Sequence, residues 1–88
     1  MSDITKRFEL SAKMVKTLST SPSNNELLEL YGLYKQSTIG DCNTTEPSRF
    51  NMKDHAKWNA WKAIKGTKKN DAMNKYSDLV MTLIDKYN

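Results

Sequence analysis

The stretch "GDCNTTEPSRFNM", Gly40 to Met52, governs how this chain can fold. It is a polar connection of thirteen residues with Pro47 inside it, set between two segments of helical periodicity. Antiparallel helical neighbours need only a short loop. So long a link is what a bundle requires when its second and third helices are not simple antiparallel neighbours. On its N-terminal side, about Ser23 to Ile39 reads as a helix ended by Gly40-Asp41. There Leu27, Leu28, Leu30, Tyr31, Leu33 and Tyr34 cover more than half the circumference. Such a helix is packed on more than one side, or packed on one side and occupied by a ligand on another. On the C-terminal side, about Lys53 to Lys65 reads as a third helix with Gly66 after its cap. Thr67 is then placed to cap a fourth, running to near Lys86 with Ala72, Tyr76, Val80, Leu83 and Tyr87 as its stripe. A first helix spans about Ile4 to Leu18, with Ile4, Phe8, Ala12, Val15 and Leu18 in phase. "TSPSNN" interrupts it, and Ser21-Pro22 gives a start signal for the second. The expected architecture is all-α, four helices in one domain over residues 1–88.

Size and charge narrow the function. A chain of 88 residues buries only roughly 60–65% of the surface its unfolded form exposes. That favours a groove or shallow cleft over an enclosed cavity. Fourteen Lys and Arg against ten Asp and Glu give a net charge of +4, suited to an anionic ligand. The acidic residues Glu26, Glu29, Asp41, Glu46 and Asp54 are interspersed among the basic ones, which argues against nucleic acid as a partner. Cys42 is the only cysteine, so stability must come from packing, as in a reducing compartment. The N-terminus lacks a secretory pattern, and no stretch approaches the ~20 apolar residues of a membrane span. The expected location is cytoplasmic.

Catalysis finds little footing. His55 beside Asp54 reads as a solvated surface histidine, Cys42 has no group to activate it, and no ligand cluster suits a metal. With no phosphate-cradling glycine loop either, the expectation is a non-enzyme without a cofactor. The aromatic–basic residues are a better lead. Tyr31, Tyr34 and Lys35 share one helical face. Lys53 and Lys57 are i,i+4 neighbours ahead of Trp58 and Trp61, Tyr76 lies on the fourth helix, and Lys16 lies near the end of the first. For Trp58 and Trp61 a core role with lysines snorkelling at the margin suffices. A lysine inside the Tyr31–Tyr34 face needs a partner for its charge, and a phosphate would serve. Two functions remain: capture of a small anionic ligand with a flat ring and an apolar part, or a helical protein-interaction module that docks a peptide on the same Tyr/Lys/Trp face.

The runs "YGLYKQSTIGD", "KWNAWKAIKGT" and "DAMNKY", in that order, resemble the acyl-CoA-binding protein family over Phe8 to Tyr87. The resemblance implies a four-helix bundle of up-down-down-up topology, which accounts for the long connection. It implies binding, protection and transport of one long-chain acyl-CoA ester by a monomer, with acyl-CoA-using enzymes or membranes as transient partners. By motif position it points to Tyr31, Tyr34, Lys35, Lys57 and Tyr76, with Lys16 and Lys53 in less distinctive sequence. Lys35 and Lys57, with Tyr76, would meet the ribose 3′-phosphate. Tyr31 and Tyr34 would meet the adenine and phosphates, and Lys16 and Lys53 the diphosphate. Met14 and Met52 would line the acyl groove. Ser37 departs from the family's common alanine, and Asp54-His55 from a small and a basic residue.

Overall fold

The computed structural model describes residues 3–87 and contains four α-helices, α1 Asp3–Met14, α2 Asn24–Thr38, α3 Met52–Lys62 and α4 Lys69–Tyr87. No strand occurs among the described residues. The stripe Ala72, Tyr76, Val80 and Leu83 of α4 is buried throughout, and Phe8 of α1 and Leu30 and Leu33 of α2 close over it. Each large apolar side chain so covered contributes roughly 1.5–3 kcal/mol. Thus α4 packs on both α1 and α2, while α3 packs on α2 alone.

Paired contacts give the directions. Lys86 and Tyr87 at the end of α4 bond Glu26 at the start of α2, and Gln36 near the end of α2 donates to the Thr67 carbonyl just before α4. These two helices are therefore antiparallel. Helices α2 and α3 run parallel: Leu28 and Ala56 share a hollow near their starts, and Trp61 Nε1 donates to the Gly40 carbonyl near their ends at 2.7 Å. Phe8 of α1 meets Tyr34 late in α2, whereas Val15 just after α1 shares a hollow with Leu27 early in α2. The order is up-down-down-up. The result is a slab, with Cα extents of 34 × 31 × 15 Å.

Helix ends follow local chemistry more closely than the periodicity implies. The N-cap of α2 is Ser23, not Ser21-Pro22: its hydroxyl accepts from the Glu26 amide while the Glu26 carboxylate accepts from the Ser23 amide. This capping box satisfies two donors at once. Helix α1 stops at Met14 and tightens into a 3-10 turn, Val15–Thr17, so Leu18 lies beyond it. Helix α3 ends at Lys62, before the expected Lys65, and α4 begins two residues after Thr67. Thr67 serves by its carbonyl, not as the cap. Gly40 and Gly66 have φ of +102° and +90°, which glycine adopts without a Cβ clash.

Two features fix α3. Gly32 lets the α2 backbone approach so closely that a Cβ there would lie 2.7 Å from the Ala60 carbonyl oxygen. The connection from Gly40 then runs back along α3 and is held by side chains three residues apart. Trp61 donates to the Gly40 carbonyl, Trp58 to the Thr44 carbonyl at 3.1 Å, and His55 bonds Glu46 at 2.6 Å.

Candidate functional site

Helix α2 presents its face opposite the buried Leu33 and Gln36 to a concave surface flanked by α1 and α3. Tyr31 stands at the middle. The Lys35 ammonium lies 5.8 Å from its ring centroid and that of Lys57 5.5 Å, so two cations converge on one aromatic from different helices. Lys35 is also 5.9 Å from the ring of Trp61. Cation–π contact helps hold both lysines, yet it leaves their charges unneutralised. Among the described residues no carboxylate lies within 4.0 Å of Lys16, Lys35, Lys53 or Lys57.

The acidic residues that could have served are engaged elsewhere. Glu26 accepts from Tyr87, the Ser23 amide and Lys86, which lowers its pKa to about 2. Asp41 is held below the ordinary carboxylate range by the Gly66 amide and then by Gln36. Glu46 is lowered chiefly by its hydrogen bond to His55, and Asp54 accepts from Asn51 at 2.8 Å. Of the five carboxylates interspersed in the sequence, Glu26, Asp41 and Glu46 thus tie elements together, Asp54 bonds within the start of α3, and Glu29 lines a separate hollow between α2, α3 and α4.

Two hollows meet at Leu27 and Tyr31. One, of about 380 Å³, is lined by Ala12, Val15, Lys16, Leu30, Tyr34 and Tyr76, among others. Its aromatic wall is a cluster in which Phe8 lies 5.5 Å from Tyr34 and 5.1 Å from Tyr76, ring centre to ring centre. Burial pushes the Tyr76 phenol above its ordinary pKa, and Tyr34 adds to this, so Tyr76 is a neutral hydrogen-bond donor at any physiological pH. The other hollow, of about 420 Å³, is lined by Leu27, Leu28, Met52 and Ala56 with Lys53 and Lys57 at its edge. A larger hollow of about 490 Å³ lies between α2, α3 and α4, lined by Glu29, Lys75 and Asp78 with Leu33, Ile64 and Leu79. Its two carboxylates make it the poorer seat for an anion.

Of the seven residues singled out in the sequence, six line the two joined hollows, and Lys35 reaches them through Tyr31. Tyr76 stands with Tyr34 and Lys16 on the α1 side, apart from the Lys35–Lys57 pair. Met52 is at the groove as expected, but Met14 packs against the core and lines neither hollow. Trp61 is core, 3% exposed; Trp58 is half-buried beneath Lys62. His55 is not a solvated histidine: it is half-buried and bonded to both Glu46 and Asn59. Ser37 is buried, its hydroxyl bonded to the Leu33 carbonyl at 2.6 Å, so the helix itself absorbs that polar change. Phe8 was legible as an apolar stripe position, but nothing in the sequence pairs it with Tyr34 and Tyr76. No group of three or more His, Cys, Asp or Glu able to hold a metal occurs among the described residues. No helix there is long and apolar enough to cross a membrane.

A surface with clustered unneutralised cations, exposed aromatic rings and an adjoining apolar hollow can hold an amphiphile with an anionic, ring-bearing head. Comparison with known proteins points the same way. A family model described as "Acyl CoA binding protein" matches residues 5–80. Acyl-CoA-binding protein 2 of Saccharomyces pastorianus is 51% identical over 84 residues, covering 96% of this chain and 97% of that one. Acyl-CoA-binding protein homolog 1 of Caenorhabditis elegans is 52% identical over 84 residues, covering 96% and 98%. The crystal structure of Oryza sativa acyl-CoA-binding protein 2 superposes with a TM-score of 0.91 at 44% identity, over 94% of this chain and 90% of that one.

Proposed function

The chain belongs to the acyl-CoA-binding protein family, and we propose that it holds one long-chain fatty acyl-CoA ester per chain. It shields and carries that ligand as a cytoplasmic monomer, without catalysis and without a cofactor. The observation that carries this reading is the set of lysines at Tyr31 and along the joined hollows, none with a carboxylate within 4.0 Å among the described residues. Lys35 and Lys57 flank Tyr31 in the position of a clamp for the 3′-phosphate. Tyr31 and Tyr34 offer rings to the adenine. Lys16 and Lys53, on opposite sides of α2, are available to the diphosphate, and the Tyr76 phenol adds a donor on the α1 side.

The energies suit a ligand gripped at both ends. Each charge-assisted hydrogen bond contributes about 1.5–3 kcal/mol. The acyl chain contributes ~0.8 kcal/mol per fully buried methylene, or very roughly 10 kcal/mol for a long chain before ordering costs. Leu27, Leu28, Met52 and Ala56 supply the apolar bed. The test is calorimetric titration with palmitoyl-CoA, palmitoyl-dephospho-CoA, free CoA and palmitate. The expected result is one-to-one binding of the intact ester, with a clear loss for each truncated ligand. Lys35→Ala should weaken the intact ester about ten-fold or more and narrow its advantage over the dephospho form. Four ligands bound weakly or alike would overturn the reading and favour a peptide-docking surface.

A further inference from the structure

The dipeptide Ser21-Pro22 is not the cap it resembles. That role belongs to Ser23, whose hydroxyl accepts from the Glu26 amide in the capping box. Ser21 stands before that cap, exposed, in a stretch from Leu18 to Ser23 that lies outside every helix. The backbone is extended at both limits of the stretch, with ψ of 135° at Leu18 and 163° at Ser23. Pro22 imposes the same on Ser21, because the residue before a proline is pushed out of the helical region. Of the two prolines in the chain, the other follows Glu46. Ser21 is therefore the one hydroxyl-bearing residue that precedes a proline.

Its surroundings give the serine a use. Pro22 lines the α1-side hollow of about 380 Å³ together with Lys16, Tyr31, Tyr34 and Tyr76. Lys16 comes from the 3-10 turn Val15–Thr17, just before this stretch. It is exposed, and no carboxylate lies within 4.0 Å of it among the described residues. A phosphate on Ser21 would hang one residue from the wall of the hollow, with a flexible ammonium on the same hollow to meet it. The start of α2 adds its own positive end, which favours anions. The carboxylate nearest in sequence, Glu26, is spent on Tyr87, the Ser23 amide and Lys86.

We propose that Ser21 is a phosphorylation site for a proline-directed protein kinase, and that its phosphate captures Lys16 and so weakens the ligand held in the groove. In the transfer, Ser21 Oγ attacks the γ-phosphorus of ATP. The Oγ–P bond forms as the bond to the β,γ-bridging oxygen breaks, ADP leaves, and the hydroxyl proton passes to the carboxylate base of the kinase. The product carries a charge of about −1.5 to −2 and three acceptor oxygens, enough to neutralise Lys16 and still repel a second anion. Ser23 is the poorer target, since a phosphate there would break the capping box and face the Glu26 carboxylate. The effect on ligand rests on the acyl-CoA reading; the modification and the capture of Lys16 do not.

The experiment incubates the full chain with ATP and a purified mitogen-activated protein kinase. Mass spectrometry should find one phosphoryl group on the wild type and none on Ser21→Ala. By phosphorus NMR the phosphoserine should titrate below its ordinary pKa of about 6, because a neighbouring cation favours the dianion, and should return towards it in Lys16→Gln. Calorimetry with palmitoyl-CoA in about 0.15 M salt completes the cycle. Phosphorylation should weaken binding to the wild type about ten-fold or more, as the charge-assisted bond from Lys16 is lost. In Lys16→Gln the further loss should be less than about three-fold, since the remaining repulsion is screened. Ser21→Ala treated with the kinase should bind like the unmodified wild type. No phosphoryl group on Ser21, a phosphoserine pKa indifferent to Lys16→Gln, or equal losses with and without Lys16 would each overturn the inference. An unmodified wild type that does not bind palmitoyl-CoA would overturn the carrier reading instead, while the mass and titration results still decide the capture of Lys16.

Discussion

Gly32→Ala is the sharpest perturbation of this architecture. Glycine in a helix interior is about 1 kcal/mol less favourable than alanine, so on propensity alone the change should stabilise α2. Packing reverses the sign. The added Cβ would sit 2.7 Å from the Ala60 carbonyl oxygen and 3.3 Å from the Trp61 amide nitrogen, both backbone atoms of α3. To reach an ordinary contact of 3.4 Å, α3 must retreat by about 0.7 Å. Overpacking of this kind costs about 1–3 kcal/mol, sometimes more. The retreat also stretches the 2.7 Å bond from Trp61 to Gly40 and opens contacts that forfeit a quarter to a half of their attraction at such a gap. Net of the propensity gain, we expect a loss of up to about 2 kcal/mol, or up to about 15 °C in Tm for a domain of this size. Because Lys57 rides on α3 and Lys35 on α2, their convergence on Tyr31 should loosen too, weakening palmitoyl-CoA about ten-fold or more. Urea denaturation and calorimetry check both. A variant more stable than the wild type, with unchanged affinity, would refute the claim that glycine is required by the α2–α3 approach.

Other perturbations separate the remaining contributions. The Glu26 carboxyl titrates at about 2 in the fold against an ordinary 4.5, so its stabilising share is complete above pH 4.5 and disappears as pH falls towards 2. Tyr87→Phe removes the largest cause of that depression and should flatten the acid arm of a Tm-against-pH curve. Gly66→Ala has open space for its Cβ but keeps φ at +90°. It should cost about 1–2 kcal/mol of stability by denaturation while leaving ligand titration unchanged. Gln36→Ala removes a side chain that is 1% exposed and bonds both Asp41 and the Thr67 carbonyl. The expected loss in urea unfolding is about 2–4 kcal/mol, since truncating a buried side chain leaves a cavity and takes a donor from the half-buried Thr67 carbonyl.

Helix count and order were legible because the apolar spacing in each segment matches a period of 3.6, and because the long Gly40–Met52 span excluded a simple antiparallel meander. The parallel pairing of α2 with α3 was legible only through that span and the family resemblance. Helix ends were legible less well. Ser23 and Glu26 spell a capping box, yet Pro22 drew attention to the wrong serine, and Thr67 resembles a cap while acting as an acceptor. In the site, Tyr31, Tyr34 and Lys35 could be placed on one face from spacing alone. The convergence of Lys57 on Tyr31 depends on how closely Gly32 admits α3, and the meeting of Phe8 with Tyr34 and Tyr76 depends on packing between distant segments. No local pattern encodes either. His55 shows the same limit, since its partner Glu46 lies across the turn of the connection.

The ladder of Trp61, Trp58 and His55 along the connection has a consequence for what evolution can do with this chain. Thirteen residues between two helices look like spare length, a natural place to lengthen the chain or graft a new motif. Tied to α3 at Gly40, Thr44 and Glu46, however, most of the span is committed. Pro47 to Phe50 lies beyond those three ties and closes on itself, the Ser48 hydroxyl and carbonyl accepting from the Phe50 and Asn51 amides, and it ends in a phenylalanine that is wholly exposed. Growth by insertion is therefore channelled to a single four-residue tip, beside the Met52 end of the groove. There an added segment would leave every rung intact while reaching over whatever the groove holds.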